Sequence, residues 1–168
     1  MNIDYNMVMA MTGIVAIIIS LWALRSESKR SRFSLGLEII LKMEERFNGE
    51  EMKKARRTAA KALIENKNFD ATDDVIDFFE MIGLLTRKGT IDSQMVWFNF
   101  FYWIHRYINA AKAHIEAEQK KDCTVWTEIL HLHKQLLDIE RSERNCTEKQ
   151  LHLSKSEIVK FLNEEANL

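Results

Sequence analysis

At 168 residues, with no proline, five glycines and 29% charged side chains, the chain is composed like a helical protein and unlike a turn-rich sheet protein. Its net charge of -1 excludes the broad positive field that nonspecific nucleic-acid binding needs, so no nucleic-acid partner is expected. The two cysteines, Cys123 and Cys146, lie in no C-x-x-C or Cys/His cluster, which predicts free thiols.

The first predicted element is a single transmembrane helix within residues 1–24. Residues 7–24 contain no charged side chain, and as a helix these 18 residues extend over roughly 27 Å, close to the apolar thickness of a bilayer. Four cationic residues follow, namely Arg25, Lys29, Arg30 and Arg32. Because no Lys or Arg precedes the run, the positive-inside rule predicts an outer N-terminus and a cytoplasmic remainder. A cleaved signal peptide is the rival interpretation, but the basic n-region and an A-x-A-like site are missing.

Residues 25–32 are interpreted as a basic juxtamembrane connector. Its four cationic side chains are expected to contact anionic lipid headgroups, with about 1 kcal/mol available to each beside the membrane. Within the predicted span, Thr12, Ala16 and Ser20 recur every four residues. Such a stripe of small side chains lets two transmembrane helices approach closely, so these residues are candidates for packing of the anchor.

Residues 33–168 are predicted to form one cytoplasmic helical domain with a charge of about -3. Its first helix starts near Ser34 and stops at Asn48 and Gly49. The second runs from about 50 to 66 and carries a basic stripe, which is either a solvated helix face or a contact with anionic lipid, and the solvated face is favoured. The third is capped near Asp70 and ends at Gly89. The basic stripe of the predicted second helix consists of Lys53, Arg57 and Lys61.

A long fourth helix is predicted from an N-cap at Asp92 to about Lys120, and it is apolar nearly all round in its first half. It is therefore expected to be the central helix of the domain, with its aromatic residues in the core. A fifth helix covers about 125–141, and a capping box of Ser154 and Glu157 opens a last one. The fold class is thus all-α: one transmembrane helix and a compact bundle of about six helices. The aromatic residues of the predicted fourth helix are Trp97, Phe98, Phe100, Phe101, Tyr102, Trp103 and Tyr107.

No complete catalytic, cofactor or metal motif is found. Glu128 and His131 have the spacing of helix-borne metal ligands, but no second such pair exists, and His131 groups with polar side chains on the helical wheel. His131 and His133 lie roughly 200° apart round a helix, so they cannot chelate one ion together. His105 beside Arg106 resembles a basic catalytic pair, but the Arg-to-His spacings of helical RNases are not matched. No catalytic, metal or cofactor-binding residue is predicted.

Several short motifs occur in a recognisable order. They are the sequence 45–48 (ERFN), the pattern Phe78-Phe79-Glu80-x-x-Gly83-x-Leu85 leading through Gly89 to Ile91-Asp92, the aromatic helix through Trp103, and the ending Phe161-Leu162-x-x-Glu165. With the N-terminal anchor, this order resembles an uncharacterised family of bacterial membrane-anchored, all-helical proteins, domain-of-unknown-function family 4760. The resemblance implies a helical fold and the bacterial inner membrane as location. It implies no activity and no functional residues.

Three functions remain open at this point. The first is a non-enzymatic, membrane-anchored interaction or scaffold protein whose cytoplasmic bundle docks a partner protein or a second copy. The second is a membrane-tethered enzyme or toxin of a bacterial stress or phage-response system, which requires a polar cleft where its candidate residues converge. The third is an accessory subunit held by the small-residue stripe of the anchor. The residues of the enzyme hypothesis are Asp77, Glu80, His105, Arg106 and His131.

Overall fold

The structure is a computed structural model that describes the backbone of residues 5–168 and the side chains of residues 17, 19–27 and 30–168. Within these residues the chain forms eight helices and no strand, which confirms the all-α class. The helices are α1 (Tyr5–Asn48), α2 (Glu50–Glu65), α3 (Asp70–Arg87), α4 (Ser93–Ala110), α5 (Lys112–Lys121), α6 (Thr127–Arg144), α7 (Glu148–Leu151) and α8 (Lys155–Ala166).

Two compact units divide the chain, Met1–Leu35 and Gly36–Leu168. Helix α1 continues through residues 25–32, where the sequence predicted a connector between two separate helices. This difference has a simple cause, because the segment contains no proline or glycine that would stop a helix.

In the first unit, the side chains of Arg25, Arg30 and Arg32 are exposed. The side chains of Thr12, Ala16 and Lys29 lie outside the described residues, whereas Ser20 is described and exposed. Among the residues that the structure describes, no helix is both long enough and apolar enough to cross a membrane.

The ends of several helices follow the predicted capping signals. Asp92 caps α4 by accepting a hydrogen bond from the backbone N–H of Gln94 at 2.8 Å. Ser154 and Glu157 form the predicted capping box of α8, in which the Glu157 carboxylate accepts from the Ser154 N–H at 2.8 Å. Gly89 follows α3 with φ of +68°, a left-handed conformation that suits glycine. These three predictions are confirmed.

The predicted long helix from Asp92 to about Lys120 is wrong in one respect, because it divides at Ala111 into α4 and α5. The interruption is confined to that residue. The N–H of Ala111 still donates to the Tyr107 carbonyl at 2.8 Å, and the N–H of Ile115 donates to the Ala111 carbonyl at 2.9 Å. The sequence contains no breaker at this position, so its pattern could not indicate the division.

The core of the second unit is built on aromatic rings. Helix α4 packs against α3, α5, α6 and α8, as predicted for a central helix. Near the middle, the ring of Phe47 lies 5.5 Å from that of Phe78, 5.6 Å from that of Phe79 and 5.8 Å from that of Phe100. Tyr107 and Phe161 extend the cluster with an edge contact at 5.1 Å. This filled core holds α4 in place and determines which of its side chains face away from the core.

Candidate binding cleft

A cleft of about 410 Å³ opens beside α4, against the segment from α6 through α8. We name it the α4 cleft. Its volume is in the range of protein pockets that hold ligands. Its lining residues are Trp97, Phe98, Phe101, Tyr102, His105, Arg106, Glu140, Arg144, Gln150, Leu151, Leu153 and Glu157.

The aromatic side of the cleft comes from two neighbouring rows on α4. Trp97 and Phe101 form one row and are partly buried, because they pack against the core. Phe98 and Tyr102 form the other row, one turn apart, and their side chains are 81% and 43% exposed. The prediction that every aromatic residue of this helix belongs to the core is therefore wrong for Phe98 and Tyr102. The stretch has more large apolar side chains than the packed faces of α4 can cover.

Both carboxylates in the cleft wall already have partners. Glu140 accepts a hydrogen bond from Trp97 Nε1 at 2.6 Å and forms an ion pair with Arg144 at 3.2 Å. Glu157 accepts from the backbone N–H and the hydroxyl of Ser154 at 2.8 and 2.6 Å. These bonds to Ser154, helped by the charge of Arg106, lower the pKa of Glu157. Glu140 is therefore held through both of its oxygens, and Glu157 is held through Oε2.

Arg106 is the cation of the cleft that has no such partner. Its guanidinium lies over the ring of Tyr102, 3.7 Å from the centroid, and Nη1 donates to the Tyr102 carbonyl at 3.2 Å. Among the described residues, no carboxylate oxygen lies within 4.0 Å of its guanidinium nitrogens, which is the limit for an ion pair. A guanidinium has five N–H donors, so several remain for a ligand.

A pair of histidines lies behind the aromatic row. His105 Nε2 is 2.8 Å from the Leu151 carbonyl oxygen, which can only accept, so this nitrogen carries the proton and donates. His105 Nδ1 must then accept from His133 Nε2, 2.8 Å away. Burial lowers the pKa of His105, and burial together with the charge of His105 lowers the pKa of His133 to about 4. The pair is neutral at neutral pH and links α4, α6 and α7.

The residues of the enzyme hypothesis do not converge. Asp77 accepts from Trp126 Nε1 at 2.7 Å, and Glu80 accepts from the backbone N–H groups of Glu128 and Ile129 at the start of α6. His131 is exposed on α6, as the helical wheel predicted. Only His105 and Arg106 line the α4 cleft. Among the described residues, no group of three or more His, Cys, Asp or Glu side chains could hold a metal ion.

One polar cluster was missed by sequence reasoning. Arg56 and Glu165 are buried and form an ion pair at 2.6 Å, and the hydroxyl of Tyr107 donates to the same carboxylate. The sequence does contain a signal for this buried pair. Arg56 lies four residues after Met52 and three before Ala59, on the buried face of α2. Glu165 similarly follows Phe161 and Leu162 on α8. Opposite charges on two otherwise apolar faces predict a buried pair.

Comparison with known proteins places the chain in one family. The family described as Domain of unknown function (DUF4760) matches residues 10–136, which include the core of α3 and α4 but end before α7 and α8. No curated protein matches the sequence. No solved structure matches it either. The match covers well over half of the chain, and it agrees with the order of motifs from Phe47 to Trp103. The chain belongs to the DUF4760 family, whose function is unknown.

Proposed function

We propose that this protein is a non-enzymatic, single-pass interaction module of the bacterial inner membrane, whose cytoplasmic helical domain docks a partner protein at the α4 cleft. The anchor part of the proposal is supported by sequence: 18 uncharged residues precede a basic segment. In that segment, the exposed side chains of Arg25, Arg30 and Arg32 are available for anionic headgroups.

The observation that carries the docking part is the 81% exposure of Phe98 beside a cleft lined by three further aromatic side chains. A single exposed apolar side chain is ordinary on a protein surface. Here the exposed ring continues an aromatic wall, and an apolar patch of this kind beside a concavity marks an interaction site. Covering Phe98 completely would contribute roughly 1.5–3 kcal/mol to binding.

A protein is a better occupant of this face than a substrate undergoing chemistry. His105 and both glutamates of the cleft wall are already hydrogen-bonded to neighbouring groups of the fold. Aromatic and arginine side chains, by contrast, are the residue types that contribute most to protein–protein interfaces. Phe98, Tyr102 and Arg106 present these types along one side of α4.

Site-specific photo-cross-linking in membranes tests this proposal. A benzophenone amino acid replaces Phe98 in the full chain, and the matched control has it at Ile64, which is 48% exposed on α2. We expect a discrete protein adduct from position 98 and none from position 64. No adduct at position 98, equal adducts at both positions, or an adduct with a second copy of the chain would overturn the docking proposal.

A further inference from the structure

We propose that a second cavity, at the His133 end of the histidine pair, binds a small, uncharged apolar molecule through an N–H or O–H group that donates to Nδ1 of His133. The cavity has a volume of about 340 Å³ and lies between α4, α5 and α6. We name it the α5 pocket. No described residue lines both this pocket and the α4 cleft, so the inference is independent of the proposed docking function.

The buried part of the α5 pocket is apolar. Ile108 and Ile115 are buried and Leu130 is partly buried, whereas the charged residues of the lining, Lys112 and Glu116, are exposed. These two form an ion pair at 3.9 Å, so the edge of the pocket carries one charge of each sign. An apolar cavity of a few hundred Å³ with a small number of polar groups is the usual form of a small-molecule site. The lining therefore favours an uncharged ligand.

The position of the proton on His133 is determined by its neighbours. The Leu151 carbonyl accepts from His105 Nε2, so His105 Nδ1 must accept from His133 Nε2. Burial, together with the charge of His105, lowers the pKa of His133 to about 4, so the ring is neutral at neutral pH. A neutral imidazole carries one N–H, and here it is on Nε2. Nδ1 of His133 is therefore a hydrogen-bond acceptor.

This acceptor is available to a ligand. None of the described residues donates to Nδ1 of His133, and the atom is not fully enclosed by protein. The two nitrogens of an imidazole point away from each other, so Nδ1 faces away from His105. Since His133 lines the α5 pocket, a ligand in the pocket can reach it.

Two amide side chains of the lining add further acceptors. Asn109 Nδ2 donates to the His105 carbonyl at 2.7 Å, and Gln119 Nε2 donates to the Val125 carbonyl at 2.9 Å. These bonds determine the orientation of both amides, because a backbone carbonyl can only accept. No donor among the described residues contacts either side-chain oxygen. Away from its charged edge, the lining thus leaves three acceptor atoms, and against them one N–H of Gln119.

A ligand that carries only an acceptor is disfavoured at His133 by the same hydrogen bonds. To donate from Nδ1, the ring would have to move its proton there, and His133 Nε2 would then accept from His105 Nδ1. His105 Nε2 would be left without a proton opposite the Leu151 carbonyl, and the bond between α4 and α7 would be lost. The histidine pair therefore selects for a donor.

Three two-ring molecules of similar size test the inference in the full chain held in nanodiscs. Indole has an N–H donor, indene lacks it, and quinoline has an acceptor nitrogen instead. Calorimetric titration, with empty nanodiscs as the blank, should show indole binding about fivefold more tightly than indene, as one net hydrogen bond provides. Quinoline should bind no more tightly than indene.

Two substitutions locate the preference. His133→Phe should remove it, whereas His131→Phe, the matched change at an exposed position of α6, should keep it. Partitioning of each compound into lipid is the same in every sample, so a change in preference between variants reports on the protein. In the unchanged chain labelled with ¹⁵N-histidine, indole should shift the NMR resonance of His133 Nδ1 and leave those of His131 in place.

Several results would overturn the inference. These are equal binding of indole and indene, tighter binding of quinoline, a preference that survives in His133→Phe, or no binding of any of the three molecules. If circular dichroism shows that His133→Phe does not fold, the ¹⁵N spectrum of the unchanged chain decides, and an unmoved His133 Nδ1 resonance overturns the inference. None of these results bears on the docking proposal, which depends on Phe98 and the α4 cleft.

Discussion

Arg56 and Glu165, 109 residues apart in the sequence, form a bidentate ion pair in the core, with Nε to Oε2 at 2.7 Å and Nη2 to Oε1 at 2.6 Å. The guanidinium also lies 4.1 Å from the centroid of the Phe47 ring and donates to the Phe47 carbonyl. Tyr107 completes the carboxylate's partners from α4. The pair therefore joins α8, which lies beyond the residues matched to the family, to α2 and α4 within them.

Breaking this pair from one side should be costly. Arg56→Met leaves the carboxylate of Glu165 buried without its cation, so we expect a loss of roughly 3–5 kcal/mol in the free energy of unfolding. The double variant Arg56→Met with Glu165→Gln removes the stranded charge and keeps an acceptor for Tyr107. Its loss in the free energy of unfolding should be clearly smaller than the sum of the losses of the two single variants, as measured by denaturant titration followed through tryptophan fluorescence. Additive losses would show that the two side chains are not coupled.

Gly83 permits the close approach of α3 to α6. A Cβ at this position would lie 2.7 Å from the backbone carbon and oxygen of Glu128, closer than atoms can pack. Gly83→Ala should therefore destabilise the domain by about 1–3 kcal/mol, although alanine favours a helix more than glycine does. Gly36→Ala is the milder comparison and should destabilise the domain less, since its Cβ would lie 3.2 Å from the backbone oxygen of Thr90. A Gly83→Ala protein with unchanged thermal unfolding would contradict this account of the helix contact.

Glu80 supplies the N-terminal cap of α6 from another helix. Its two oxygens accept from the backbone N–H groups of Glu128 at 3.1 Å and Ile129 at 2.7 Å. In Glu80→Gln one acceptor becomes an NH₂ donor and the negative charge at the helix N-terminus is lost, so we expect a loss of about 1–2 kcal/mol. Hydrogen exchange at the first turn of α6 should accelerate more than exchange in α8. If the substitution accelerated hydrogen exchange equally in α6 and α8, the result would argue against the cap.

His133 should make stability depend on pH. Its pKa is about 4 in the folded chain against an ordinary 6.5, so between these values the unfolded chain binds more protons than the folded one. The free energy of unfolding therefore falls as pH decreases from about 6.5 to 4, by up to roughly 3 kcal/mol from this group. His133→Gln keeps an N–H donor for His105 but does not titrate. Its unfolding curves at neutral and acidic pH should differ less than those of the unchanged chain. An identical pH dependence would contradict the assignment.

Much of the fold could be predicted from sequence because the signals are local. Asp92, Gly89 and the box of Ser154 and Glu157 act on the backbone within a few residues, and the structure confirms each of them. The division of the long helix at Ala111 could not be predicted, since no breaker residue is present there. Ala111 is buried in the core, so its surroundings depend on segments that are distant in the sequence.

The cleft was harder to predict than the helices. Hydrophobic periodicity shows that the aromatic stretch of α4 is apolar nearly all round, but it does not show which neighbours cover each face. Phe98 and Tyr102 therefore could not be distinguished from buried Phe100 and Tyr107. The histidine pair was equally hidden, because His105 and His133 are 28 residues apart and meet only through the packing of α4 on α6.

The claim on which the proposed function depends is the oriented anchor, and thiol labelling of bacterial spheroplasts tests it most directly. In the variant Cys146→Ser, the exposed Cys123 is the remaining thiol, and a matched variant without either native cysteine carries Asn2→Cys. We expect a membrane-impermeant maleimide to label position 2 in intact spheroplasts, and to label Cys123 only after detergent opens the membrane. Labelling of Cys123 in intact spheroplasts, or recovery of the chain in the soluble fraction, would contradict a membrane anchor with a cytoplasmic domain.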